Sequence, residues 1–345
     1  MFMDELKKRV ERIRFAMEAE GVDAFLISNS RNVEYLTGRD TGRILLTRDR
    51  DILWVKELYM HSGLYSRGGY PFDVRVYEKD VVKKVMNDLG VGELAVENLS
   101  FLGYDKLRGE LGIDLRVTDL VERERALKSG YEIEALKKSA HIAMEGMKKA
   151  FSVVNEGVME MDALSEIEYV IRKQGSESPP FEGGMLLASG RNGADIHAKA
   201  GGERIKKGSL VVVDLGARYG GYFSDMTRTL EVGVINAEGR GVMELVKDIQ
   251  KEAIDRLEVG VKAGDIHDFV EEEMSKHGYR FYHSTGHGIG LNVHELPNIG
   301  PESGDILKEG MVFTIEPGIY IPGKFGVRFE DMILLKRNKV EILTR

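Results

Sequence analysis

The chain has 345 residues, 42% of them hydrophobic, which is long enough for two domains with ordinary cores. Its formal net charge of −8 leaves no basic surplus to neutralise phosphates, which argues against nucleic acid as a partner. Cysteine is absent, so disulfides and thiolate zinc sites are excluded, and any metal must be held by oxygen and imidazole.

The N-terminus, MFMDELKKRVERIRF, is charged throughout and lacks the apolar core of a signal peptide. No apolar run reaches the length of a membrane span. A soluble cytoplasmic protein is expected. From Met3 to about Glu20, Leu6, Val10, Ile13 and Met17 recur at helical spacing, and Gly21 ends the helix. AFLISN reads as a short buried strand, followed by NVEYLTG. RILLTRD and DILWVK read as two paired strands, and Val81 to Asp88 as a helix. This first part, residues 1–123, is expected to be an α/β domain. Its lone His61 is assigned to structure or surface.

A second domain is expected over residues 124–345. Ser129 can cap a long helix from about Tyr131 to Val153, with Ile133, Leu136, Ala140, Ala143, Met144, Met147 and Phe151 as its buried stripe. His141 falls off that stripe. MDALSEIEYVIRKQG gives a second helix, Ser176 to Pro180 a loop, and MLLASG a strand. A Gly-rich loop, RNGADIHAKAGGERIKKG, then carries His197. Two further helices, from about Arg240 to Leu257 and from about Gly264 to Lys276, alternate with antiparallel hairpins, which is an α+β pattern. Glu271, Glu272 and Glu273 read as a solvated helix face.

The hairpins carry the chemistry. In SLVVVDLGARYGGYFSDMTRTLEV, a β-branched run meets Asp214, turn residues follow, and a second extended run carries Asp225. A loop at Tyr219–Gly220 sets the two acids directly opposite, with Cβ atoms roughly 5 Å apart. A Gly220–Gly221 loop shifts the pairing by two residues and keeps both on one face. A three-residue loop separates them. Downstream, MVFTIEPGIY carries Glu316 and VRFEDMILL carries Glu330, equidistant from Gly323, so a turn centred there opposes them as well. Isolated surface acids are the alternative, but Asp214 and Glu316 close apolar runs and Glu330 lies within one.

His283, His287 and His294 lie in FYHSTGHGIGLNVHELP, where Gly286, Gly288 and Gly290 let the backbone pass close to a ligand or a neighbouring strand. With His287, the four acids make a set whose charge two divalent cations would balance, and burial without them would be costly. Carboxylates can bridge, so five residues suffice for two ions roughly 3.5 Å apart. Mixed carboxylate and imidazole ligands suit Mn, Co, Fe or Zn better than Ca or Cu(I).

The motifs VVVDLGARYGGYFSDMTRT, STGHGIGLNVHELP, FTIEPGIY and GVRFED, with Asp214, Asp225, His287, Glu316 and Glu330 in that order, resemble the pita-bread metallopeptidases. The likeness covers the chain from about Leu127 to its end. NVEYLTG and the residues before Arg123 are similar to the N-terminal domain of prolidase and aminopeptidase P. The resemblance implies a creatinase/prolidase-like α/β domain followed by an α+β pita-bread catalytic domain. It implies two divalent ions per subunit, Mn2+ or Co2+ first, with Zn2+ or Fe2+ as alternatives. Asp214 would bind one ion, His287 and Glu316 the other, and Asp225 and Glu330 would bridge.

The implied activity is hydrolysis of the Xaa-Pro bond by a metal-activated water, most simply in dipeptides, with Glu316 moving the proton to the leaving nitrogen. His294 and His197 would contact the substrate and the developing oxyanion, and His283 would line the pocket. Arg328 would order a bridging carboxylate. The chain departs from the family around His197, where DIHAKAGG lacks the usual preceding proline and following Gly-x-Pro. The alternatives are aminopeptidase P on longer peptides, methionine aminopeptidase, and a non-catalytic peptide-binding relative. Creatinase does without these metal ligands. By the same analogy the partners are a small peptide and a second copy of the chain in a homodimer.

Overall fold

The computed structural model describes residues 2–61, 63–65, 69–178 and 184–345. The chain forms two compact units, Met1–Arg125 and Ala126–Arg345. The first holds strands β1 (Ala24–Ile27), β2 (Arg43–Thr47), β3 (Asp51–Val55), β4 (Asp73–Val76), β5 (Glu93–Val96) and β6 (Asp114–Val117) in one sheet of order β4-β3-β2-β1-β5-β6. β1 runs parallel to β5, and β5 to β6 through the helix Phe101–Leu111, while β2 runs antiparallel to β1 and β3; this mixed sheet with its helices is the expected α/β unit. β1 is buried along its whole length, which is why it reads as an unbroken apolar run. The helix Phe2–Ala19 buries Leu6, Val10, Ile13 and Met17, the four at helical spacing. His61 lies exposed in a turn.

In the second unit β7 (Leu186–Ser189), β8 (Ser209–Tyr219) and β9 (Tyr222–Val232) form a three-stranded antiparallel sheet. β10 (Gly286–Gly288), β11 (Glu295–Ile299), β12 (Val312–Ile315), β15 (Asp331–Lys336) and β16 (Lys339–Ile342) form a second sheet of order β11-β10-β12-β15-β16. β13 (Gly318–Ile321) and β14 (Phe325–Arg328) pair with each other. The helices Gly130–Val153 and Glu160–Lys173 share one core with β8 and β9. The helices Ala237–Asp255 and Ala263–Lys276 share another with Phe313, Ile315, Ile333 and Leu335. Among the described residues, no helix is long and apolar enough to cross a membrane. The loop SESPPFEGG falls partly on residues 179–183, outside the described residues.

Ser129 caps the long helix through a reciprocal capping box with Glu132. Leu136, Ala140, Ala143 and Met147 are buried as the spacing predicts, but Phe151 is 64% exposed. From Met147 the helical period carries the buried stripe to Ala150 and Val154, which leaves Phe151 on the outer side. His141 is exposed.

Both hairpins form, and their registers place the acids. Tyr219 pairs with Tyr222, so the β8–β9 loop is Gly220–Gly221, with φ of 58° and 85°. Two successive left-handed residues make the turn that matches strand twist, and glycine adopts both without a steric penalty. Asp214 therefore pairs with Thr227, and Asp225 with Gly216. The acids share a face but sit diagonally, not directly opposite as the Tyr219–Gly220 loop would have set them.

In the second hairpin Ile315 pairs with Asp331 and Gly318 with Arg328, so Glu316 faces Glu330 across a break in the ladder, with Gly323 in the turn. At the break their backbones bond elsewhere. The Glu316 N–H donates to Thr285 O at 2.8 Å and the Glu330 N–H to Thr227 O at 3.1 Å.

β14 packs against the short 3-10 turn Gly190–Ala194. A Cβ on Gly326 would fall 1.8 Å from the Gly193 carbonyl oxygen, with backbone on both sides of the contact. Gly326→Ala is expected to lower unfolding stability by about 2 kcal/mol or more. Urea denaturation checks this, and parent-like stability would refute the close contact.

Candidate metal centre

Five side chains from five strands and their ends converge. Asp214 comes from β8, Asp225 from β9, His287 from β10, Glu316 from the residue after β12, and Glu330 from the residue before β15. Glu330 and Asp225 lie deepest, at 1% and 6% exposure, while Asp214, His287 and Glu316 are half-buried. Ligand atoms of Asp225, His287 and Glu330 lie within 4.8 Å of one another. The His287 Nε2 stands 3.3 Å from Glu316 Oε1 and 3.9 Å from Asp225 Oδ2.

Asp214 and Glu330 are each held through one oxygen. Arg328 Nη2 donates to Asp214 Oδ2 at 2.6 Å, and the Thr227 hydroxyl donates to Glu330 Oε2 at 2.7 Å. Arg328 Nε donates in turn to Thr227 Oγ1 at 3.2 Å, so Arg328 reaches Asp214 directly and Glu330 through Thr227. The opposite oxygens, Asp214 Oδ1, Asp225 Oδ1 and Glu330 Oε1, are buried without any hydrogen-bond donor. Orphaned buried carboxylate oxygens are costly, and a cation between them removes the cost. The donor set, oxygen with one imidazole, fits divalent transition ions.

The titration state of the metal-free centre follows from the same crowding. Burial, then the negative charges of Glu330 and Asp214, push Asp225 well above the usual carboxylate range. Burial and the charges of Glu316 and Asp214 do the same to Glu330. Burial would raise Glu316 too, but the hydrogen bond and charge of His287 hold it down to about 2. Burial would lower His287, yet Glu316 draws it upward. The crowding thus favours protons on Asp225, Glu330 and His287 where a cation would relieve it.

His287 is oriented for ligation. Its Nδ1 lies 3.1 Å from Gly288 O, and a carbonyl only accepts, so Nδ1 carries the hydrogen. Nε2 is thereby left to face the acids. Gly286 and Gly288 fit the expectation of close approach. A Cβ on Gly286 would lie 1.9 Å from Thr314 O, and one on Gly288 2.0 Å from Leu296 O.

The remaining histidines separate. His294 is exposed, with its ring centroid 4.1 Å from that of His287. His283 ends a directed chain: Arg328 Nη1 donates to the Tyr320 hydroxyl at 2.9 Å, which donates to His283 Nε2 at 3.0 Å, while Nδ1 donates to Ser284 O at 2.8 Å. Burial lowers its pKa, consistent with a neutral ring in that chain. His197 lies on an exposed turn where its backbone N–H donates to Asp195. Among the described residues, no hydrogen bond joins its ring to the acids.

Sequence reasoning missed Tyr320 and Thr227. The only signal was position: Tyr320 follows Glu316 by four residues on the second hairpin, and Thr227 follows Asp225 by two on the first. It also left His267 without a role, whereas its ring is buried, with Nδ1 3.1 Å from the Thr285 hydroxyl.

Such a centre defines a metallohydrolase on an α+β frame. Residues 134–337 match Metallopeptidase family M24, and residues 9–127 match the Creatinase/Prolidase N-terminal domain. A Xaa-Pro dipeptidase of Pyrococcus horikoshii is 34% identical over 351 residues, covering 99% of this chain and 98% of that protein. The solved Xaa-Pro dipeptidase from Bacillus anthracis is similar with a TM-score of 0.91 and 32% identity, over 99% of this chain and 98% of that one. The X-Pro aminopeptidase from Thermotoga maritima has a TM-score of 0.85 and 32% identity, with 97% of each chain covered. The chain belongs to metallopeptidase family M24, with a creatinase/prolidase-type unit before a pita-bread catalytic unit, and the family implies divalent metal ions.

Two outcomes follow for the metal-free protein. A carboxylate whose folded pKa is raised contributes stability that is full below its unfolded pKa of about 4 and is lost as pH climbs through the folded value. Asp225→Asn and Glu330→Gln are therefore expected to stabilise the metal-free protein at pH 8, with the gain shrinking toward pH 4. Chemical denaturation across that range reads the difference, and a pH-independent gap would refute the shifts. Mn2+ loading near pH 7 is expected to release protons, seen by titration calorimetry in buffers of different ionisation enthalpy.

Proposed function

We propose that the protein hydrolyses Xaa-Pro dipeptides with two divalent metal ions, Mn2+ or Co2+ first. The reading is carried by three buried carboxylate oxygens, on Asp214, Asp225 and Glu330, that lack a donor, and by the grouping of Asp225 and Glu330 ligand atoms with a His287 nitrogen within 4.8 Å. Likeness to dipeptidases across nearly the whole chain supports the substrate class. Asp214 would hold one ion, His287 and Glu316 the other, with Asp225 and Glu330 shared. Bound there, the ions would supply a water of lowered pKa and polarise the scissile carbonyl.

The residues of the chain do the rest. Glu316, half-buried beside His287, would accept a proton from the attacking water and pass it to the leaving nitrogen, the ring nitrogen of proline, which has no hydrogen of its own. His294, at the rim, donates to the oxygen that gains charge. Arg328 fixes Asp214 and, through Thr227, Glu330. His283 is fixed by Tyr320 at the pocket wall. His197 contacts peptide only once peptide is in place, so His197→Ala is expected to raise KM more than it lowers kcat. In the cell we place the enzyme in the cytoplasm as a homodimer.

A second reading, an aminopeptidase acting on longer Xaa-Pro peptides, is favoured by the similarity to the Thermotoga maritima enzyme. Assay of Met-Pro against Arg-Pro-Pro separates the two. Preferential cleavage of the tripeptide would overturn the dipeptidase reading. Dialysis against chelator is expected to abolish hydrolysis, and Mn2+ or Co2+ to restore it. Asp225→Ala or Glu330→Ala is expected to lower both metal content and turnover more than about a hundredfold, and Arg328→Ala by about 10–100-fold. Full activity in the chelated protein would refute the metal mechanism.

A further inference from the structure

Lys128 and Glu295 form an ion pair that the proposed reaction does not use. The Lys128 side chain has no solvent exposure and that of Glu295 has 7%, with Nζ and Oε1 2.7 Å apart. They lie 167 residues apart in sequence. Taking an ammonium and a carboxylate out of water costs about as much as their attraction returns, so such a pair is a poor source of stability. What it supplies is a single geometry.

That geometry belongs to the loop from Gly290 to Glu295, which carries His294. The second Glu295 oxygen accepts the Asn292 N–H at 3.3 Å, so the carboxylate sits inside the loop it belongs to. A Cβ on Gly290 would fall 2.2 Å from Glu295 Oε1, so the glycine leaves room for the carboxylate there. Gly290 O accepts the Phe223 N–H at 2.8 Å, tying the loop to the strand that bears Asp225. Lys128 is anchored separately: its N–H donates to Gly310 O at 3.0 Å, and Leu127 bridges to Met311, just ahead of the strand that leads to Glu316. The ammonium thus reaches from the backbone near one proposed ligand strand into the loop that holds the His294 ring beside His287.

We propose that Lys128 and Glu295 are a positioning pair that fixes the Gly290–Glu295 loop and sets the His294 ring over the metal centre. The catalytic part of this inference rests on the role given to His294 above. An oxyanion donor works only where it meets the transition-state oxygen at hydrogen-bond distance, so a loosened loop costs turnover before it costs binding.

The test uses the full-length Mn2+-loaded protein with Met-Pro. Lys128→Met and Glu295→Gln are each expected to lower kcat about tenfold with KM moved less than about twofold and metal content unchanged. The double variant should be no worse than either single one, and in a His294→Ala background Lys128→Met should change kcat less than about twofold. Parent-like kcat in the single variants, or a further tenfold loss in the His294→Ala background, would overturn the proposal. If neither single variant folds, K128M/E295Q, which buries no charge, replaces them. If that also fails to fold, the pair is structural and the positioning role falls. If the parent cleaves no Xaa-Pro peptide, the functional reading fails by itself. Positioning is then read from the His294 ring resonances of metal-free parent and Lys128→Met by NMR, where unchanged shifts would sink it.

Discussion

Four carboxylates share one partly buried space in the second unit, and among the described residues Arg328 and His287 are the basic side chains paired with them. Like charges at such distances in a poorly solvated site cannot all stay ionised unless something positive sits between them. The same constraint pushes Asp225 and Glu330 up, draws His287 upward and, through His287, holds Glu316 down. Arg328 faces Asp214. Divalent ions would relieve the same crowding, and their binding would release the protons it favours.

The fold brings these charges together by joining two hairpins side by side. Thr229 Oγ1 donates to Arg328 O and accepts the Arg328 N–H, both at 3.0 Å, and Glu330 N–H donates to Thr227 O. Where the second hairpin opens at Glu316 and Glu330, its free backbone groups are taken up by neighbouring strands, so the break leaves no buried amide unpaired there. Threonine repeats as an intermediary. Thr227 stands between Arg328 and Glu330, and Thr314 Oγ1 accepts the His287 N–H at 3.1 Å and donates to Glu316 Oε1 at 3.4 Å. These short hydroxyls orient one oxygen of each glutamate and leave the other for a ligand.

Depth sorts the roles. Glu330 and Asp225 lie at the floor, Asp214, His287 and Glu316 half-open above them, and His294 exposed at the rim. The glycines of the GHGIG run make this possible, since at Gly286 and Gly288 any side chain would collide with a neighbouring backbone carbonyl.

Much of this was legible in the sequence. The α/β and α+β character of the two parts, the Ser129 cap, and both hairpins with their acid pairs could be read from apolar periodicity and turn glycines, while the grouping of those acids with His287 leaned on the family resemblance. These are local patterns, and period and turn chemistry fix them without knowledge of distant partners. The sequence left the β8–β9 register open between alternatives, because Tyr-Gly and Gly-Gly loops differ only in which residues take positive φ. It placed Phe151 in the core because spacing alone does not say where a helix's buried face has turned by its last turn. Tyr320, Thr227, Lys128 and the burial of His267 emerged only with the tertiary structure. Their partners lie far along the chain, and a hydrogen bond between such residues has no local signature.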